Sequence, residues 1–213
     1  MGTKLIYFVR HGETELNAKG IKQGPDGSLS EKGRNQCLET AKKFPKDKGC
    51  PQIIAASPFQ RTRETAEIIA KELGLKIKYS DLLKERKNPS EVIGRSGQEK
   101  EVRAIIDRID KSHHADDLRY SDEENFIDLK KRAKKLLTHI AHMRQKRIIM
   151  VTHANFLKMV ASYILYGEKL TASGYNSLSY FNPINNASIT ICSCTTHWFR
   201  KNEWKLIVWN DMS

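Results

Sequence analysis

Apolar residues in this chain gather into short unbroken runs, and the segments between them carry helical spacing. Residues 5–9 are five apolar positions in a row, as in a strand buried on both faces of a parallel sheet. Ile53–Ala56 and residues 148–151 repeat that pattern, while Leu75, Ile77 and Tyr79 alternate like a further strand. Ser30 stands as an N-cap before a stripe of Cys37, Leu38, Ala41 and Phe44. Thr62, Ala66, Ile69 and Leu73 mark a second helix, closed by Gly74. Ser121 and Glu124 form a capping-box spacing, predicting a helix that runs from there to about Met143. Phe156, Leu157, Val160, Tyr163 and Ile164 predict another helix, ending near Gly167. Residues 188–194 and 204–209 read as two strands of a hairpin.

Residues 81–121 break the alternation. They are charged, carry Pro89, Gly94 and Gly97, and hold one short helical pattern at 99–109, which predicts a helical lid inserted over the sheet. The whole predicts an α/β fold: a mainly parallel central sheet flanked by helices on both faces, with a C-terminal hairpin and the lid. All 213 residues are read as one domain, long enough to bury roughly 70% of the surface of the unfolded chain.

Ligands of open α/β sheets bind beyond the carboxyl ends of the strands. Arg10-His11-Gly12-Glu13-Thr14 follows the first strand, Ser57 and then Arg61 the second, and Thr152-His153-Ala154-Asn155 the strand at 148–151. Two histidines and two arginines from distant segments therefore share one rim. An arginine fork matches phosphate oxygens and keeps its charge, a helix start adds free amides, and a neutral imidazole is a competent nucleophile toward phosphorus. A second imidazole can stabilise charge on the oxygens in flight. His113, His114, His139, His142 and His197 have no such company and read as surface or packing residues.

A net charge of +12 favours anionic partners without naming one, and runs such as Lys130, Lys131, Arg132, Lys134 and Lys135 read as solvated helix faces. No interleaved basic and aromatic stretch marks a nucleic-acid surface. The four cysteines lack the spacing of a secreted disulfide framework. No signal peptide is read before the first strand, and no run approaches the ~18 apolar residues of a membrane span. The expectation is a cytoplasmic protein that does not enter membranes and binds a small phosphorylated substrate, with oligomeric state open. Cys192, Cys194 and His197 match no common zinc spacing.

Arg10-His11-Gly12-Glu13-Thr14 with Asn17, Ser57-Pro58-x-x-Arg61-Thr62, Leu83-Lys84-Glu85-Arg86, Val151-Thr152-His153 and Asn186-Ala187-Ser188-Ile189 together resemble the histidine phosphatase superfamily, in its phosphoglycerate-mutase-like branch. The resemblance implies a phosphohistidine on His11, attacking through Nε2 with its Nδ1 proton held by a backbone carbonyl. It implies Arg10, Arg61 and His153 around the phosphoryl group, with Asn17 and Ala154 also at the substrate. It places Glu85 as the acid that protonates the leaving group and then activates water, with Asp81 and Glu91 as rival acids. It implies no metal and no other cofactor.

Two departures bear on the activity. Ala154 stands where the family usually has glycine, and Glu85-Arg86-Lys87 is not followed by the His-Tyr-Gly run typical of the mutases. The expected function is therefore a phosphatase acting on a small phosphorylated metabolite. The alternatives are a phosphoglycerate-type mutase and a module that binds phosphate or nucleic acid without catalysis. Arg86, Lys87, Arg95 and Lys100 are candidates to contact a second anionic group of the substrate.

Overall fold

A computed structural model of the chain describes residues 2–110 and 116–212. The apolar runs become a six-stranded sheet of β1 (Gly2–Arg10), β2 (Ile53–Ala56), β3 (Ile77–Tyr79), β4 (Arg147–Thr152), β5 (Ile189–Thr196) and β6 (Glu203–Asp211). Their spatial order is β3-β2-β4-β1-β5-β6. The pairs β1–β4, β2–β4 and β2–β3 are parallel, whereas β5 runs antiparallel to both β1 and β6. Among the described residues seven α-helices accompany them: α1 (Glu15–Ala18), α2 (Glu31–Lys42), α3 (Gln60–Leu73), α4 (Lys100–Asp110), α5 (Phe126–His142), α6 (Ala154–Tyr166) and α7 (Ala172–Phe181).

Side chains alternate across a strand, so a wholly apolar strand feeds two cores. Ile6 and Phe8 join Ile148 and Met150 in a cluster with Leu129 and Ile140 of α5 and Phe156 and Val160 of α6. Tyr7 and Val9 join Ile149 and Val151 in a second cluster with Ala41 of α2 and Ala66 and Ile69 of α3. Each fully buried Ile, Val or Phe stabilises the fold by roughly 1.5–3 kcal/mol. The result is three layers, with β1 and β4 at the centre.

Several elements differ from the sequence expectation. Leu38 is 43% exposed, because α2 buries Gly33, Cys37, Thr40 and Ala41 instead. A Cβ on Gly33 would fall 2.0 Å from the carbonyl oxygen of Glu13, and this close backbone approach sets the rotation of the helix. Strand β3 starts at Ile77 rather than Leu75, because the Leu75 amide donates to Ala70 O across the left-handed turn at Gly74. Helix α5 opens at Asn125, whose side chain accepts the Asp128 amide at 3.0 Å. Ser121 and Glu124 form no capping box: Glu124 is taken by Arg132, a stronger charged partner. Helix α7 has no counterpart in the sequence reading.

In the segment after β3, α4 matches the short helix expected at 99–109. Its strand-like stretch is tied to the loop after α1: Lys22 N donates to Arg95 O at 2.9 Å, and Gly94 N and Gly97 N donate to Lys22 O and Gly20 O, each at 2.8 Å. His113 and His114 lie outside the described residues; His139 and His142 are exposed on α5. Among the described residues no helix is long and apolar enough to cross a membrane.

Candidate active site

Strand register brings the chemistry together. Arg10 pairs with Thr152 across β1 and β4, and Ala56 pairs with Val151 across β2 and β4. The ladder continues one step past the strand ends, with His11 N donating to Thr152 O at 3.1 Å and Ser57 N to Val151 O at 3.0 Å. His11, Ser57 and His153 thus emerge side by side from three parallel strands, and Arg61 enters from the first turn of α3.

His11 is 4% exposed, and its Nδ1 lies 2.8 Å from Gly12 O. A carbonyl oxygen can only accept, so the ring proton sits on Nδ1 and the lone pair on Nε2. Arg61 Nε donates to that Nε2 at 3.3 Å, which agrees with the same tautomer. Burial, then the charges of Arg61 and Arg10, hold His11 well below the ordinary histidine value, so the ring is neutral.

The surrounding donors are buried as well. Arg61 is 3% exposed, donates through Nη1 to Gly24 O at 2.8 Å and lies over the Phe59 ring; burial lowers its guanidinium to about 10, leaving it charged at neutral pH. Arg10 spends Nη1 on Ile184 O, and its Nε is buried without a hydrogen-bond partner. The His153 ring packs edge-on against His11, with centroids 5.2 Å apart. Its Nε2 meets Ser57 Oγ at 2.9 Å while Nδ1 is buried and unpartnered. Burial, then Arg61 and His11, lower His153 well below its ordinary value too. Asn17, on α1, likewise has an unpartnered buried side-chain oxygen. Orphaned polar atoms are rare in folded proteins, and here three lie on residues of one constellation.

Glu85 reaches the same rim. Its Oε1 accepts the amides of Arg86 at 2.8 Å and Phe156 at 2.9 Å, and Oε2 accepts the amide of Asn155 at 3.2 Å. The carboxylate therefore caps α6, whose N-cap residue His153 makes no side-chain cap of its own, with Ala154 at the first helical position. The rival acids Asp81 and Glu91 are exposed.

Backbone bracing fixes His11. Ala187 adopts φ +58° and donates its amide to Arg10 O at 3.0 Å and His11 O at 3.2 Å, and Asn186 Nδ2 donates to His11 O at 3.0 Å. A Cβ on Gly12 would meet Gly33 O at 2.5 Å and Cys37 Sγ at 2.7 Å, so only glycine fits after His11.

A cleft of about 680 Å³ borders the constellation through Gly24, Phe59 and Glu85. Sequence reasoning missed Ser57 as a histidine partner and misread Arg132 as solvated. Arg132 forks onto Glu124 and donates to the carbonyls of Leu82 at 3.1 Å and Lys84 at 2.7 Å, fixing the segment that carries Glu85. Its spacing from Leu129 and Leu136, three and four residues away on one helical stripe, was the signal. Arg86, Lys87 and Arg95 are not free for an anion: they pair with Asp110, Asp122, and Glu99 with Glu101. Lys100 begins α4. Cys192 and Cys194 are buried in β5, where burial pushes the thiols up to about 12 and about 11, and His197 meets Glu203 at 3.4 Å.

Comparison with known proteins identifies the fold and the family. A segment of 81 residues is 43% identical to the probable phosphoglycerate mutase GpmB of Escherichia coli K12, spanning 38% of this chain and 37% of that protein. The fold superposes on a solved mycobacterial hydrolase with a TM-score of 0.80 at 23% identity, covering 99% of both chains. It is also similar to a mycobacterial glucosyl-3-phosphoglycerate phosphatase solved with VO3 (TM-score 0.74, 24% identity, 97% of this chain and 98% of that one). A phosphoserine phosphatase from Entamoeba histolytica, solved with phosphoserine, gives a TM-score of 0.75 at 23% identity over 98% and 97% of the two chains. The family model for the histidine phosphatase superfamily, branch 1, matches residues 6–212, and the chain belongs to that superfamily.

Proposed function

We propose that this protein is a phosphoric monoester hydrolase working through a phosphohistidine on His11, as a single catalytic domain in the cytoplasm. The observation that carries the reading is the His11 tautomer: Nδ1–H is committed to Gly12 O, which leaves a neutral Nε2 lone pair beside the Arg61 guanidinium. Nε2 attacks phosphorus, the bond to the substrate oxygen breaks, and Glu85 delivers a proton to the departing alkoxide. Oε2, which accepts a single amide, is the oxygen with room to carry that proton. Water then attacks the phosphohistidine, yields a proton to Glu85 and releases phosphate as the P–N bond breaks. Arg10, Arg61 and His153 hold the phosphoryl oxygens throughout, with Asn17 and the start of α6 at Ala154 beside them. The scheme routes no step through a metal. Phosphatases among the structural relatives support the reading. Four free cysteines fit a reducing compartment.

The test is phosphate release from a panel of phosphomonoesters together with an acid-labile phosphoenzyme trap. Turnover without a trapped phosphohistidine would falsify the mechanism. The second reading, a phosphoglycerate mutase, draws on the 81-residue likeness to GpmB. It requires interconversion of phosphoglycerates primed by catalytic bisphosphoglycerate to outpace hydrolysis.

A further inference from the structure

The walls of the cleft beside Glu85 carry a charge pattern unlike the rest of the chain. Against a net charge of +12, the cleft is lined by six acidic and five basic side chains, a balance of −1. Every one of those five cations is already paired. Lys84 meets Asp81 at 3.0 Å, Arg86 meets Asp110 at 2.8 Å, Lys87 meets Asp122 at 2.9 Å, Arg132 meets Glu124 at 2.6 Å, and Arg119 pairs with Asp128.

Some of these pairs are tightly built. The Arg86 side chain is 11% exposed and also donates to Asn88 Oδ1 at 3.4 Å. Asp122 accepts the Ser90 amide at 2.9 Å and its hydroxyl at 2.5 Å besides Lys87. A substrate carboxylate or second phosphate would have to displace a wall carboxylate from its cation. The displaced carboxylate would stay in the wall, unpaired and repelling the newcomer. Hydroxyl groups meet neither cost. The phosphoryl group itself is unaffected, because its donors, Arg10, Arg61 and His153, belong to the rim of the sheet rather than to the cleft lining.

We propose that the enzyme selects phosphate monoesters whose alcohol carries no second anionic group, and discriminates against alcohols bearing a carboxylate or another phosphate. This rests on the phosphatase reading and adds the substrate class to it. The experiment compares kcat/KM of the purified full chain for glycerol 3-phosphate and 3-phosphoglycerate, which differ by a hydroxymethyl group against a carboxylate, with 4-nitrophenyl phosphate as a third substrate. Glycerol 3-phosphate, the ester of the uncharged alcohol, is expected to be preferred about tenfold or more, a scale set by the modest strength of partly exposed pairs. In the double variant Asp110→Asn/Asp122→Asn, which frees Arg86 and Lys87, that ratio is expected to narrow about threefold or more. Because the ratio is internal to each preparation, a partly unfolded variant does not mimic the effect.

A preference for 3-phosphoglycerate, a wild-type ratio under about threefold, or a ratio that the double variant leaves unchanged overturns the inference while the phosphatase reading stands. Turnover of 4-nitrophenyl phosphate with neither glycerol ester does the same. Failure to release phosphate from any of the three overturns the reading itself, and the inference with it.

Discussion

Arg61 Nε and His11 Nε2 lie 3.3 Å apart, with the guanidinium donating to the one ring nitrogen of His11 that holds a lone pair. A cation resting on that nitrogen suppresses its protonation and, in the proposed mechanism, marks where an incoming anion will sit. When phosphate arrives, the same N–H can turn from the imidazole to a phosphoryl oxygen.

Replacing His11 by alanine removes the proposed attacking atom but not the arginines. Turnover and the acid-labile phosphoenzyme are both expected to vanish, with phosphate binding retained. Residual turnover above about one part in a thousand, measured by phosphate release, would reassign the nucleophile.

His11 and His153 are both neutral in the folded protein far below the ordinary histidine value. The unfolded chain protonates both as pH drops through about 6.5 while the native state does not, so stability falls with pH in that window. The slope attributable to the pair is up to about 3 kcal/mol per pH unit. Urea unfolding between pH 7.5 and 5 checks it; the slope should roughly halve in His153→Asn. On the same grounds, kcat/KM should hold down to pH values below 6.5, because the nucleophile stays unprotonated.

Glu85→Gln keeps the size of the side chain and removes the proton carrier. Hydrolysis of alkyl phosphates should drop by about 10²-fold or more, with aryl phosphates nearly spared. The amide also offers one acceptor oxygen where the carboxylate has two, so the cap on α6 weakens and stability falls by about 1 kcal/mol. Equal losses for alkyl and aryl esters would remove Glu85 from the acid role.

Ser57 Oγ accepts the Phe59 amide at 3.3 Å and stands 2.9 Å from His153 Nε2. If its hydroxyl proton goes to Nε2, the ring proton lies on Nδ1, the unpartnered buried nitrogen, ready for a phosphoryl oxygen. Ser57→Ala should lower kcat about tenfold and weaken inhibition by vanadate, and Ser57→Thr, which keeps the hydroxyl, should restore much of both. Equal activity of the alanine and wild-type proteins counts against this role.

Gly12→Ala drives a Cβ into the Gly33 carbonyl and the Cys37 sulfur. The backbone beside His11 has to move, at an expected cost of about 1–3 kcal/mol in stability and most of the activity. Thermal unfolding and phosphate release report the two losses separately.

The sheet and the rim were legible in the sequence because short all-apolar runs admit few other structures, and because chemistry follows strand ends. The rotation of α2 and the start of α5 were not, since a backbone approach between Gly33 and the distant Glu13 decides the first, and Asn125, with Glu124 taken by Arg132, decides the second. Helix α7 was hidden by its Gly174, Asn176 and serines, which blur any stripe. His11, Arg10, Arg61, His153 and Glu85 were all named from the sequence. Ser57 was seen only as a strand-end residue, because nothing local announces a partner 96 residues away. Arg86, Lys87 and Arg95 were read as available charge; only the fold brings each to face a carboxylate.

The brace on His11 comes from Asn186 and Ala187, 175 residues and more downstream of the group it steadies. During synthesis His11 is made well before its clamp, which follows only after four of the six strands. The backbone around His11 therefore gains this brace late in the life of the nascent polypeptide, and a chain cut short before Asn186 lacks it.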